Sequence, residues 1–358
     1  MKKLLLSTAA VFAFASSVNA ADPDLTVGGY VNAQGGFVDS DTIENDQHAL
    51  RVDSEVHVEV GGEHGDLAYG AVIELEADSS EDSDNIQNNN INADKSYLFL
   101  QGDFGRVELG SNTDASDALD INTGTFARAT GGVDGDFYKF AAPTTNAIIR
   151  PDGAIAHDRA AAEDANRITL YTARQEGVQL GVSYTPDLGT HGQAVALGNG
   201  TPSGVDSRDG FSGGVNYASN FDGFGVAASA TAEYANSQAA MAKDTFTHKY
   251  GLQLTTEGVT LGGSYGKIDE GLGGQRDGEY FDVGVAYETG PFGASVTYLD
   301  SEASTNGVDT DFTNIVIGAD YAYAPGAAAY AEVSLFEEDT AGVSNDGTVV
   351  LLGTQVGF

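Results

Sequence analysis

Apolar and polar residues alternate with a period of two along most of the chain. Val52, Val56, Val58 and Val60 are interleaved with Arg51, Asp53, Glu55, His57 and Glu59. Phe281, Val283, Val285 and Tyr287 are interleaved with Asp282, Gly284, Ala286 and Glu288. At the end of the chain Val350, Leu352, Thr354, Val356 and Phe358 share one face, opposite Gly353, Gln355 and Gly357. A strand turns successive side chains to opposite faces, so the pattern predicts strands with one apolar face and one small, polar or charged face. Sixteen segments read this way, beginning with 25–37, 49–61, 67–77, 95–102, 105–111, 167–174, 178–185 and 211–218. The rest are 224–235, 246–256, 259–267, 280–288, 292–299, 312–323, 328–336 and 348–358.

The connections alternate in length. Short ones are 62–66, Asp103-Phe104, Gln175-Glu176-Gly177, 220–223, Glu257-Gly258, Gly290-Pro291 and Ala324-Pro325-Gly326. Their Gly and Pro residues suit the dihedrals that tight hairpins demand. Long ones are 38–48, 78–94, 112–166, 186–210, 236–245, 268–279, 300–311 and 337–347, rich in Asp, Asn, Ser and Gly. An even strand count with strict long–short alternation brings both termini to the short-turn end, the layout of outer-membrane barrels.

The N-terminus reads as an export signal: Lys2 and Lys3, an apolar stretch from Leu4 to Phe14, then a small-residue cleavage site at Val18-Asn19-Ala20. Residues 1–20 are therefore expected to be removed, with 21–358 forming the barrel. Beyond this leader no apolar run approaches the ~18 residues of a membrane helix, so any membrane crossing must be made by a closed barrel. Aromatic spacing agrees. Phe211 and Tyr217, Phe281 and Tyr287, and Phe292 and Tyr298 lie six positions apart, on one face near opposite ends of a strand. Two interfacial aromatic girdles require that arrangement.

Charge and composition narrow the function. With 53 acidic and 16 basic residues the net charge is −37, which excludes nucleic acid as a partner. Cysteine is absent, so there is neither a disulfide framework nor a thiolate site. No catalytic constellation, phosphate loop or EF-hand stands out, and the reading is non-enzymatic, without a cofactor. The acidic runs at 78–84 and 337–339 are read as solvated external loops, where Ca2+ or another divalent cation is a secondary idea for bridging to lipopolysaccharide. His57 beside Glu55 and Glu59 raises a metal site, but residues two apart on a strand form a row. A compact site needs ligands from a neighbouring strand, so a charged pore wall is preferred.

The segment YLFLQGDFGRVELG at 97–110, the later NRITLYTAR at 166–174 and the terminal Phe358 resemble the general bacterial (Gram-negative) porin family over nearly all of the mature chain. Ser111 departs from the basic residue that family members often carry there. The resemblance implies a homotrimeric outer-membrane diffusion channel whose 112–166 connection folds inward to narrow the pore. It also implies that Phe358 is read by the outer-membrane assembly machinery.

Site residues follow from this frame. The inward loop carries Asp114, Asp117, Asp120, Asp134, Asp136 and Asp152. Alternation aims Arg51, Arg106 and Arg167 at the lumen, together with Asp53, Glu55, His57, Glu59, Glu74 and Glu108. Either the arginines oppose the loop acids across a constriction, or each neutralises a neighbouring wall acid such as Asp53 or Glu108. The acid excess predicts mild cation preference for small hydrophilic solutes and ions. A channel selective for sugars or organic anions would need aromatics along the lumen face, where Tyr30, Tyr171 and Tyr330 are expected but most Tyr and Phe are not. A barrel-borne enzyme or adhesin is the remaining alternative.

Overall fold

The computed structural model describes residues 23–41, 47–77, 93–127, 132–135, 137–141, 148–151, 165–188, 207–237, 243–271 and 276–358. The expected leader, the acidic run 78–84, Asp136 and Asp152 lie outside the described residues.

Sixteen strands form: β1 (Asp24–Ser40), β2 (Gln47–His64), β3 (Leu67–Glu76), β4 (Ala93–Gly102), β5 (Gly105–Ser111), β6 (Asn166–Tyr171), β7 (Val178–Asp187) and β8 (Ser207–Phe221). They continue as β9 (Phe224–Ser237), β10 (Thr245–Thr256), β11 (Val259–Gly271), β12 (Arg276–Thr289), β13 (Phe292–Thr305), β14 (Val308–Ala324), β15 (Ala327–Thr340) and β16 (Val343–Gly357). Each pairs with its sequence neighbours, and β16 pairs antiparallel with β1, from Tyr30 opposite Gly357 to Ser40 opposite Gly347. Phe358 extends that seam, exchanging two backbone hydrogen bonds of 3.1 Å with Gly29. Closure leaves no strand edge, the condition for crossing lipid with strands.

The two faces separate as the alternation requires. Outward side chains such as Leu50, Leu98, Leu109, Leu180, Leu252, Val283 and Leu352 are exposed, an apolar surface too large for a water-soluble monomer. Aromatics border it: Tyr184 packs on Phe211 and Phe281 on Tyr298 toward one rim, Phe221 on Phe224 and Phe292 on Tyr321 toward the other. The inward face is dominated by Ser, Thr, Asn and charged residues.

Two expected long loops prove to be tight hairpins. Thr305 pairs with Val308 and Thr340 with Val343, leaving two-residue turns at Asn306-Gly307 and Ala341-Gly342. All four turn residues have positive φ (55° and 76°, 52° and 80°), as type I′ turns require. The acid run 337–339 thus belongs to β15, and Glu338 is buried inside the barrel rather than standing in a solvated loop. Alternation there was obscured because β14 and β15 carry apolar residues on both faces.

The reason is a second core, inside the barrel. The chain after β5 enters the lumen as two single-turn helices, α1 (Ala115–Ala118) and α2 (Phe137–Phe140), with a 3₁₀ turn at Gly132–Asp134 between them. Phe137 stacks against inward-facing Phe312 and Phe336, with ring centroids 6.3 and 6.2 Å away. Val133, Ile149, Ile268, Leu299, Val316, Val349 and Leu351 belong to the same cluster, and Val38 carries it onto β1. Burying each large side chain is worth roughly 1.5–3 kcal/mol, so the loop has an apolar seat on the wall formed by β11–β16 and β1.

Candidate pore and its inward loop

Beyond β5 the loop follows the inner wall strand by strand. Ala115 N donates to Ser183 Oγ on β7 at 2.8 Å, and Asn216 Nδ2 on β8 donates to the Leu119 carbonyl at 3.0 Å. Ile121 N donates to Ser229 Oγ on β9 at 2.9 Å, and Gln253 Nε2 on β10 donates to the Asn122 carbonyl at 2.6 Å. Thr123 reaches β12, its N and Oγ1 donating to Asp282 at 2.9 and 2.5 Å, while Ser264 donates to the other oxygen of that carboxylate. On the return, Ile149 N donates to Ser301 Oγ on β13 at 3.0 Å. Short hydroxyl and amide side chains on the lumen face thus satisfy loop backbone that burial would otherwise leave unpaired.

The wall is also cut away along this path. A Cβ at Gly181 would press on Leu119, at Gly251 on the Ile121 carbonyl, at Gly262 on Phe126, at Gly318 on Ala127, and at Gly36 on Phe140. These inward glycines form a trough that lets the loop lie flat. Periodicity could not show it, because a glycine on a lumen face reads simply as small.

The sequence-predicted residues divide into two groups. Asp114, Asp120 and Arg167 belong to the loop's attachment. Asp114 caps α1, accepting from the Ser116 and Asp117 amides at 2.7 and 3.2 Å, and lies 3.9 Å from Arg167 on β6. Asp120 pairs with Lys249 on β10 at 3.2 Å. Arg167, Asp114 and Lys249 are buried, so they pin the loop and do not face each other across open water. Asp117 is half-buried beside them, and Asp134 ends the 3₁₀ turn. The loop also carries basic groups that the acid pattern hid: Arg150 and Lys139 lie over the Tyr138 ring at 4.2 and 5.1 Å.

The second group sits on β2–β5, where among the described loop residues Asn112 Nδ2 donates to Glu108 on β5 at 2.6 Å. Arg51 lies 3.5 Å from Asp53, and Arg106 Nε donates to Glu108 at 2.6 Å. Each arginine thus has a neighbouring wall acid within ion-pair distance. Arg106 also lies 4.1 Å over the ring of Phe99, an inward aromatic; with Tyr97, Tyr280, Phe312 and Phe336 it adds to the lumen aromatics beyond Tyr30, Tyr171 and Tyr330. Register places Asp53, Glu55, His57, Glu59, Glu74, Glu76 and Lys95 on the same inner face.

The geometry is that of a barrel with an internal loop, and comparison with known proteins agrees. A family model described as Gram-negative porin matches residues 7–341. The chain belongs to the Gram-negative porin family. An anion-selective porin from Comamonas acidovorans shares its fold at a TM-score of 0.66 and 18% identity, over 94% of this chain and 100% of that one. The outer membrane channel DcaP of Acinetobacter baumannii does so at 0.64 and 14%, over 96% and 100%. An uncharacterized protein of Rickettsia felis is 23% identical over the whole of both chains. Porin membership points to an outer-membrane channel protein.

Proposed function

We propose that this porin is a passive, water-filled channel for small hydrophilic solutes and ions, with a mild preference for cations. The observation that carries the proposal is the asymmetry of the lumen. The apolar seat and most wall contacts of the described loop residues lie on β6–β16 and β1, and β2–β5 present charged side chains. On that arc Asp53, Glu55, Glu59, Glu74, Glu76 and Glu108 outnumber Arg51, Lys95 and Arg106. A net negative wall enriches cations and repels anions, and salt screens it over about 8 Å at physiological strength. The anion preference of the Comamonas porin belongs to that protein, whose 18% identity carries the fold alone.

As the family resemblance implies, the working unit is a homotrimer in the outer membrane, reached after removal of the leader and assembly through Phe358, with lipopolysaccharide around its outer rim. Planar-bilayer recording tests the channel. Ohmic unitary conductance with a reversal potential on the cation side in dilute salt is expected. A closed barrel, or clear anion preference, would overturn it.

A further inference from the structure

The inner face of β2 and β3 brings together a mixed nitrogen–oxygen set. His57 on β2 lies directly opposite Glu74 on β3, and Glu55, two residues earlier, opposite Glu76. One ligand atom each from Glu55, His57 and Glu74 falls within 4.8 Å of the others. His57 Nε2 stands 3.3 Å from Glu55, yet neither it nor the second Glu55 oxygen has a hydrogen-bond partner among the described residues, and both atoms are sealed from solvent. The neighbouring strand thus supplies the third ligand that a single strand cannot.

We propose that Glu55, His57 and Glu74 bind a divalent transition cation of the Zn2+ type on the pore wall, and that its binding throttles conduction. One imidazole and two carboxylates suit a borderline cation better than Ca2+, which takes six to eight oxygens. Ligands about 2.1 Å from a tetrahedral centre are about 3.4 Å apart, so closing the site asks the side chains to move by about an ångström. Water completes the fourth position.

Lys95 now fills the cation's role, with its ammonium 2.7 Å from Glu74 and 3.6 Å from Asp94. A metal arriving at Glu74 displaces that ammonium toward Asp94, so Lys95 competes with the ion. Binding converts an anionic stretch of wall into a near-neutral one carrying a hydrated ion. Both changes lower cation flux.

This inference rests on the channel reading for its effect on current but not for binding. The full-length mature protein, folded in detergent, is dialysed against Zn2+ and separately recorded in planar bilayers with and without Zn2+. Folding of each variant is checked by heat-modifiable mobility. Wild type is expected to hold one Zn2+ per chain and to lose conductance. His57→Ala and Glu74→Gln should each weaken binding on the order of tenfold or more, and Lys95→Gln should tighten it. Absence of bound Zn2+, or binding indifferent to His57→Ala in a folded barrel, overturns the site. His57-dependent binding with unchanged conductance upholds the site and overturns its place on the conduction path.

Discussion

The ammonium of Lys249, on β10, lies 3.2 Å from the Asp120 carboxylate in the inward loop, with 1% and 2% of the two side chains exposed. Removing one partner of such a pair leaves an uncompensated buried charge, at a cost of about 3–5 kcal/mol. Lys249→Met or Asp120→Leu should therefore lower the thermal stability of the folded barrel and release the loop locally, giving larger, noisier unitary currents. The double variant should recover most of both losses. Additive effects in this cycle would show that the pair does not hold the loop.

The loop's path gives a steric test. Gly251→Val places a side chain where the Ile121 carbonyl lies. The strand face can accept valine, so the barrel should still form, but the loop must lift and unitary conductance should rise. Gly35→Val, on the outer face where an added Cβ meets only ordinary contacts, should leave conductance near wild type. Equal currents in the two variants would put the loop elsewhere.

Acid should unfasten the first turn of the loop. Burial pushes the Asp114 carboxyl up, but the Arg167 guanidinium, the Ser116 hydroxyl and the Asp117 amide together outweigh it and hold it below the usual carboxylate range. A folded value below the unfolded one means that this fastening is at full strength above about pH 3.9. It is lost as pH falls through the lower folded value. The Asp114 contribution to conductance noise should therefore appear only below about pH 4. Asp114→Asn should be noisy already at neutral pH, and a quiet Asp114→Asn channel would remove Asp114 from the fastening.

In the proposed channel the charges on β2–β5 set the selectivity. Arg51 and Arg106 each offset a neighbouring acid at 3.5 and 2.6 Å. Arg51→Glu or Arg106→Glu frees that acid and adds another, so the reversal potential should shift further toward cations, most in dilute salt. A shift toward anions would mean that this arc does not set the field.

The barrel seam depends on its last residue. Phe358 closes β16 on β1 through Gly29 and is 64% exposed on the outer face. Deleting it should reduce folded protein in the outer membrane without blocking export. Wild-type amounts of heat-modifiable protein would count against this.

The wall was legible in the sequence and the loop's attachment was not, for a physical reason. Alternation reports which face meets lipid, and lipid imposes one rule on every outward position: Leu98, Leu170, Val283 and Leu352 obey it. The inward positions answer to local partners instead. Phe312, Phe336 and Leu351 face inward because α2 covers them, while His57 and Glu74 face inward among the charged side chains of β2 and β3. Arg167 reads on paper like Arg51, and the loop separates them by burying one. Asn306-Gly307 carries a hairpin signature that could have been recognised; Ala341-Gly342 was masked by the acids of β15, half of which point inside.

The trough of inward glycines has a consequence for inheritance. The wall from β7 round to β1 is a mould of one particular loop, and the inward glycines at 36, 181, 251, 262 and 318 each record a loop atom that passes within contact distance. Loop and wall therefore form one heritable unit although they are distant in sequence. A chimera that exchanges only the segment after β5 for that of another porin would lay a foreign ridge in this mould. It should assemble well only when the glycines at 36, 181, 251, 262 and 318 are exchanged to match.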